Sequence, residues 1–83
     1  AEGRVYRAIV TGLKDYGAFV RIGEHEGLVH VSELADPTPA TPEVVVQIGD
    51  FTVVRVLGRD KRGRVRLSRK AALGVDPSEI IEV

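Results

Sequence analysis

The sequence predicts an all-β domain: a five-stranded antiparallel Greek-key barrel with a short helical turn and an irregular loop between its third and fourth strands. Three observations carry this expectation. Apolar residues recur at every second position in five short runs, the period of a strand rather than of a helix. Turns rich in glycine and charge separate most of these runs at hairpin spacing. One connection, 36–47, is long and proline-bearing, and such an excursion between strands three and four marks a partly open five-stranded barrel, with an SH3-like barrel or a small open sheet as competitors.

The first run, Gly3 to Leu13, sets Tyr6, Ala8 and Val10 against Arg7, Ile9 and Thr11 and is rich in β-branched residues, which suit a pleated, half-buried surface. Lys14-Asp15-Tyr16-Gly17 supplies a turn, after which Ala18, Val20 and Ile22 alternate with Phe19 and Arg21 in a second strand. Gly23 to Gly27 reads as another turn, and Leu28-Val29-His30-Val31 as a short third strand ended by Ser32, which can open one helical turn over Glu33-Leu34-Ala35. The stretch Asp36 to Pro42 holds Pro37, Pro39 and Pro42 and is expected to be stiff and irregular, with a turn at Pro42-Glu43-Val44.

Ile48-Gly49-Asp50 turns the chain into a fourth strand, Phe51 to Arg59, in which Val54 and Val56 alternate with Arg55 and Leu57. Asp60-Lys61-Arg62-Gly63 forms a hairpin turn, because glycine can take the positive φ that closes it. Strand five runs from Arg64 to Ser68, with Val65 and Leu67 inward and Arg64 and Arg66 outward. Lys70-Ala71-Ala72-Leu73 suits one helical turn, and Asp76-Pro77-Ser78-Glu79 has the form of a helix start capped by Asp76. The expected organisation is a β-barrel domain over 1–73 and a C-terminal tail over 74–83, flexible or a short frayed helix.

Composition narrows the function. Eighty-three residues fit one domain with a compact core. The absence of cysteine removes disulfides and thiolate metal sites, and two histidines without cysteine do not make a structural zinc site, so neither cofactor nor metal is expected. No apolar run approaches the ~20 residues of a membrane span and the first residues lack a signal-peptide pattern, so no membrane partner is expected. The expected location is the bacterial cytoplasm, or an organelle if the host is eukaryotic. The chain contains no methionine, which suggests a piece of a longer protein.

The net charge is zero, but it is segregated: residues 23–50 carry six acidic and no basic groups, while 55–70 carry eight basic groups against Asp60 alone. Such a chain can present a basic face while neutral overall; the alternative is a solvated surface with uneven loops.

Phe19 is the informative residue. Strict alternation buries Ala18, Val20 and Ile22 and turns Phe19 outward beside Arg21, holding an apolar ring in water. Tyr16 precedes it at the corner, where Gly17 leaves room, so two rings can form one platform for base stacking, worth about 1–3 kcal/mol per base without demanding a sequence. The plainer alternative has Tyr16 capping the barrel end and Phe19 packed under the 36–47 loop. His30, outward on the neighbouring strand, can stack on a base or donate to phosphate or ribose. Arg64 can pair with phosphate or stack its planar guanidinium. Asp60 can position Arg64 or accept from a base edge or ribose, or merely make the hairpin turn.

No Gly-rich phosphate loop, cysteine nucleophile or acid/base carboxylate pair is present, so the domain is expected to bind rather than react. A metal-assisted nuclease built on His30 and Asp60 is the minor alternative. A second alternative is a protein-interaction module that docks the same aromatics and uses the acidic stretch 24–50 for recognition.

Three ordered blocks then carry a resemblance: Val10-x-x-Leu13-x-Asp15-Tyr16-Gly17-Ala18-Phe19-Val20; Glu26-Gly27-Leu28-Val29-His30-Val31-Ser32-Glu33-Leu34; and Gly49-Asp50 followed by Asp60-x-x-Gly63-Arg64-Val65-Arg66-Leu67-Ser68. Together they resemble the RNA-binding domain named after ribosomal protein S-one, over about residues 3 to 73. The resemblance implies the oligonucleotide-binding barrel, and a single-stranded RNA surface made by Tyr16, Phe19, His30, Asp60 and Arg64. Tyr16 departs from the phenylalanine of many members, a change that leaves stacking intact. No role is implied for the 36–42 loop. This domain is reused in ribosomal proteins, ribonucleases and translation or transcription factors. The leading Glu2-Gly3-x-x-Tyr6 and the run Gly63 to Leu73 resemble the carboxy-terminal domain of the polynucleotide phosphorylase family, trimeric enzymes that degrade RNA from the 3′ end using phosphate. The isolated domain is then expected to be a monomer and its host a homotrimer.

Overall fold

Alternation along each run turns one set of residues inward, and in the computed structural model, which describes residues 2–83, those inward sets meet. Ala8 and Val10, Ala18 and Val20, Val29, Val54 and Leu67 form one buried cluster with Leu34 and Val46 from the connections. Its strands are β1 (Val5–Lys14), β2 (Gly17–Ile22), β3 (His25–His30), β4 (Phe51–Arg59), β5 (Val65–Ser68) and a two-residue β6 (Ile80–Ile81). The first five close in the order β1-β2-β3-β5-β4 and back to β1. The long β1 makes closure possible, pairing with β4 over Val5 to Ile9 and with β2 from Ile9 onward. Its register shifts between Val10 and Gly12, a bulge that bends the strand between its two partners.

The expected antiparallel pattern holds at four of the five junctions. β3 and β5 run parallel, through Gly27↔Val65, Leu28↔Arg66 and Val29↔Leu67. The reason is parity: an odd number of strands cannot alternate direction around a closed ring, so at least one pair must be parallel.

Boundaries also move: β1 starts at Val5 rather than Gly3 and β5 at Val65 rather than Arg64. β3 starts at His25 rather than Leu28, because Ile22, Arg21 and Val20 pair with His25, Glu26 and Gly27 and shorten the turn to Gly23-Glu24. Gly27 sits there for close packing: a Cβ would lie 2.7 Å from Leu67 Cδ1. The helical turn after β3 is a 3-10 turn over Val31–Glu33, capped by His30 rather than Ser32. Pro42–Val44 forms the turn expected within the long loop, which contains a cis Asp36–Pro37 bond.

The barrel end beneath Leu34 is tied by a polar clamp. Ser68, fully buried, donates its hydroxyl to Glu33 Oε1 at 2.6 Å and accepts from the Ala71 N–H at 3.0 Å. The amides of Arg69 and Lys70 both donate to the Glu33 carbonyl at 2.9 Å.

Residues 74–83, expected as a flexible tail or short frayed helix, run as a 3-10 turn over Pro77–Glu79 and then as β6 alongside β1, pairing Ile80 with Val5 and Ile81 with Tyr6. Asp76 caps that turn as expected, accepting from the Ser78 N–H at 2.9 Å. Proline at the first position opens the turn, but the paired apolar Ile80-Ile81 continue it as strand rather than helix.

Candidate nucleic-acid interface

The outer face of β2, β3 and β5 carries the residues singled out from the sequence. Register explains how. The inward row runs Ala18, Val29, Leu67, and the adjacent outward row runs Phe19, Leu28, Arg66. Phe19 is therefore outward, as alternation requires, and half-buried because other side chains stand against it. Its ring meets Tyr16 edge-on, with centroids 6.3 Å apart and planes at 86°. The Arg64 guanidinium lies 5.5 Å from the Phe19 centroid, within cation–π range.

Tyr16 sits at the corner between β1 and β2, and its carbonyl accepts from the Val31 N–H at 2.8 Å. That bond locks the corner against the end of β3. The next residue, Gly17, pairs with His30, and a Cβ on it would collide with the Val29 carbonyl oxygen. The close approach of β2 to β3 thus brings Tyr16, Phe19 and His30 onto one surface.

His30 is exposed and oriented by Ser32, whose backbone N–H donates to Nδ1 at 3.2 Å and whose hydroxyl lies 2.8 Å from the same nitrogen. An amide N–H can only donate, so Nδ1 accepts and the neutral ring carries its proton on Nε2. The ring therefore offers a donor to a ligand.

Asp60 makes the hairpin. Its Oδ1 accepts from the amides of Arg62 and Arg64, each at 2.9 Å, while Gly63 takes φ +80° to close the turn. The Arg64 amide, more than any other group, holds the Asp60 carboxyl below its ordinary range. Asp60 also lines an open groove of about 310 Å³ with Leu28, His30, Leu57 and Arg66. Making the turn, holding Arg64 and accepting from a base edge or ribose are compatible, since the turn occupies only Oδ1.

The structure thus places Tyr16, Phe19 and Arg64 together as a ring–ring–guanidinium platform, and His30 and Asp60 together along the neighbouring groove. Leu28 and Arg66 lie between them and were not read as site residues. Leu28 looks like core by composition, and Arg66 gains its place only through the parallel β3–β5 junction. Of the eight basic groups in 55–70, Arg55, Arg59 and Arg69 are each tied to backbone carbonyls by one or two guanidinium donors at 2.7–3.0 Å. The basic face is correspondingly narrower than the composition suggests. Among the described residues no group of histidines and carboxylates is arranged to hold a metal ion.

A closed five-stranded barrel of this topology, with two edge-packed rings and a guanidinium on its outer face, defines an oligonucleotide-binding module. Comparison with known proteins narrows the class: the family described as the S1 RNA binding domain matches residues 1–70, and the chain belongs to that family. Polyribonucleotide nucleotidyltransferase of Pelobacter propionicus is 47% identical over 77 residues, covering 92% of this chain and 11% of that protein. The enzyme of the same name from Opitutus terrae is 51% identical over 73 residues, 86% of this chain and 10% of its own length. The chain thus spans about a tenth of the curated relatives it matches. Among solved structures, GSP13 from Bacillus subtilis superposes with a TM-score of 0.80 at 36% identity over 95% of this chain and 62% of that one. A chain of the a/eIF2alpha–aDim2p–rRNA complex from Pyrococcus horikoshii matches with a TM-score of 0.80 at 27% identity, over 89% of this chain and 46% of that one.

Proposed function

We propose that this domain binds single-stranded RNA by stacking bases on Phe19 and Tyr16, with Arg64 and Arg66 at the phosphates and His30 and Asp60 meeting base edges or ribose. The observation that carries the reading is the Arg64 guanidinium held 5.5 Å over the Phe19 ring with Tyr16 edge-on beside it. An aromatic ring flanked by a planar cation accepts the π face of any base, which suits weak sequence preference.

The domain binds and the chemistry lies elsewhere in its host. Relatives named polyribonucleotide nucleotidyltransferase, matched over most of this chain but only a tenth of their own length, support a host that degrades RNA from the 3′ end with phosphate. In that setting the module is a monomer by itself and the host a homotrimer, whose active sites receive the strand that the module holds.

The test is titration of unstructured RNA against the 83-residue chain. Phe19→Ala with His30→Ala is expected to weaken binding by at least the ~1–3 kcal/mol of one stacked base while the far-ultraviolet spectrum stays unchanged. Unaltered affinity in that double variant would overturn the site.

A further inference from the structure

The same logic that makes Phe19 informative applies to the other phenylalanine. Phe51, the first residue of β4, is 70% exposed. Its position is fixed by register rather than by a loop: Ile9, in the middle of β1, pairs with Arg21 of β2 on one side and with Phe51 of β4 on the other. The neighbours of Ile9 along the strand, Ala8 and Val10, are buried, so Ile9 faces outward, and Arg21, Ile9 and Phe51 form one cross-strand row on the outside of the barrel. Arg21 follows Phe19 by two residues on the same strand and therefore on the same face. The row is thus continuous with the platform described above and leads around the barrel away from it.

The row also borders a shallow groove of about 290 Å³, whose lining includes Arg7 with Arg21, Ile9 and Phe51. Arg7 is paired with Glu82 at 3.1 Å. Arg21 makes no ion pair or side-chain hydrogen bond among the described residues, so its charge is available to a ligand. An exposed ring and a free guanidinium two strands away, with an apolar residue between them, offer the same two groups as the first platform, spaced farther apart.

We infer that Arg21, Ile9 and Phe51 form a second subsite for the same RNA strand, in which a base stacks on Phe51 and Arg21 contacts a phosphate between the two rings. The inference rests on the RNA-binding reading above and extends the path of the strand from β2 across β1 to β4. Site sizes of about 4–16 nucleotides for barrels of this kind leave room for such an extension.

A short and a long oligouridylate within that range separate the subsites, because only the longer reaches Phe51. With the 83-residue chain, Phe51→Ala is expected to weaken binding of a roughly 12-nucleotide strand about 5- to 100-fold and to leave a roughly 4-nucleotide strand unaffected. Phe51→Trp should restore the long-strand affinity and Phe51→Leu should not, since leucine keeps the apolar surface but lacks the π face. Arg21→Gln should lower the salt slope of the long strand alone by about 0.7. If Phe51→Ala binds the long strand as the parent does while Phe19→Ala weakens both strands, the second subsite is wrong, the first stands, and the Phe51 face is left to protein contacts. If Phe19→Ala also changes nothing, the RNA-binding reading itself falls.

Discussion

Arg64 is held at both ends. Its amide donates to Asp60 Oδ1, and its guanidinium covers the Phe19 ring. A planar cation in that position can contact phosphate and present a stacking face at once, which an ammonium cannot. Arg64→Ala is therefore expected to reduce the salt slope of RNA binding by about 0.7, the value of one phosphate on a single strand. Arg64→Lys should keep the slope and still lose affinity, because charge survives and the planar face does not. Titrations at several salt concentrations check both, and an unchanged slope in the alanine variant removes Arg64 from the phosphate contacts. Asp60 supplies a pH signature. Its folded-state affinity for protons is lowered, chiefly by the Arg64 amide, so its contribution to stability is present above the ordinary aspartate value of 3.8 and is lost as pH falls through the lowered folded value. Carboxyl-carbon titration by NMR should give a midpoint for Asp60 below 3.8, with the Arg62 and Arg64 amides shifting in step. A midpoint at or above 3.8 would show that the turn does not hold the carboxylate.

Elements, not single side chains, bring these residues together. Gly17 allows β2 to lie against β3, and its hypothetical Cβ meets backbone, which cannot swing aside. Gly17→Ala should cost about 1–3 kcal/mol of stability by denaturant titration, the usual penalty of overpacking, and should weaken RNA binding as His30 and Tyr16 part. At the other side of the barrel wall, Ser68→Ala removes the hydroxyl that serves Glu33 and the Ala71 amide. Leaving a part-buried carboxylate short of a donor is expected to cost about 1–3 kcal/mol of stability, read by denaturant titration. What the sequence made legible follows the same division. β1, β2, β4 and β5 are local patterns of alternation, and Phe19 inherits its outward direction from β2, as His30 does from the alternation Leu28-Val29-His30 at the end of β3. The start of β3 is not legible, because His25-Glu26-Gly27 has the composition of a turn and becomes strand only by pairing with β2. Leu28 and Arg66 are hidden for a related reason: their adjacency depends on a junction between strands that are far apart in the chain.

For the molecule as a whole, the C-terminal segment is part of the sheet system rather than an appendage. Val5 is 2% exposed although it lies outside the main core cluster, and it is the residue alongside which Ile80 pairs. Two apolar residues pairing with a distant strand carry no local signal, which is why 74–83 reads as tail from the sequence. Deletion of residues 80–83 is expected to lower stability by about 1.5–3 kcal/mol, the worth of burying one valine side chain, measured by thermal or denaturant unfolding. Short-strand RNA affinity should survive it, since Phe19, His30 and Arg64 are not in that segment.

The parallel junction of β3 with β5 has a kinetic side. β1, β2 and β3 are joined by short turns and β4 and β5 by a hairpin, so those pairings are local and quick to form, whereas β3 and β5 must find each other across the whole proline-bearing loop and β4. That seam is one of two non-local junctions in the ring, the other being β1 with β4, and Leu28 and Arg66 face each other across it. A strand of RNA lying over both halves binds the closed ring and not the open one, and so shifts the balance toward closure in proportion to its concentration. Amide hydrogen exchange at Leu28 and Arg66 should slow on adding RNA more than exchange in the β1–β2 hairpin does. The ligand then acts as the clasp of the barrel that recognises it.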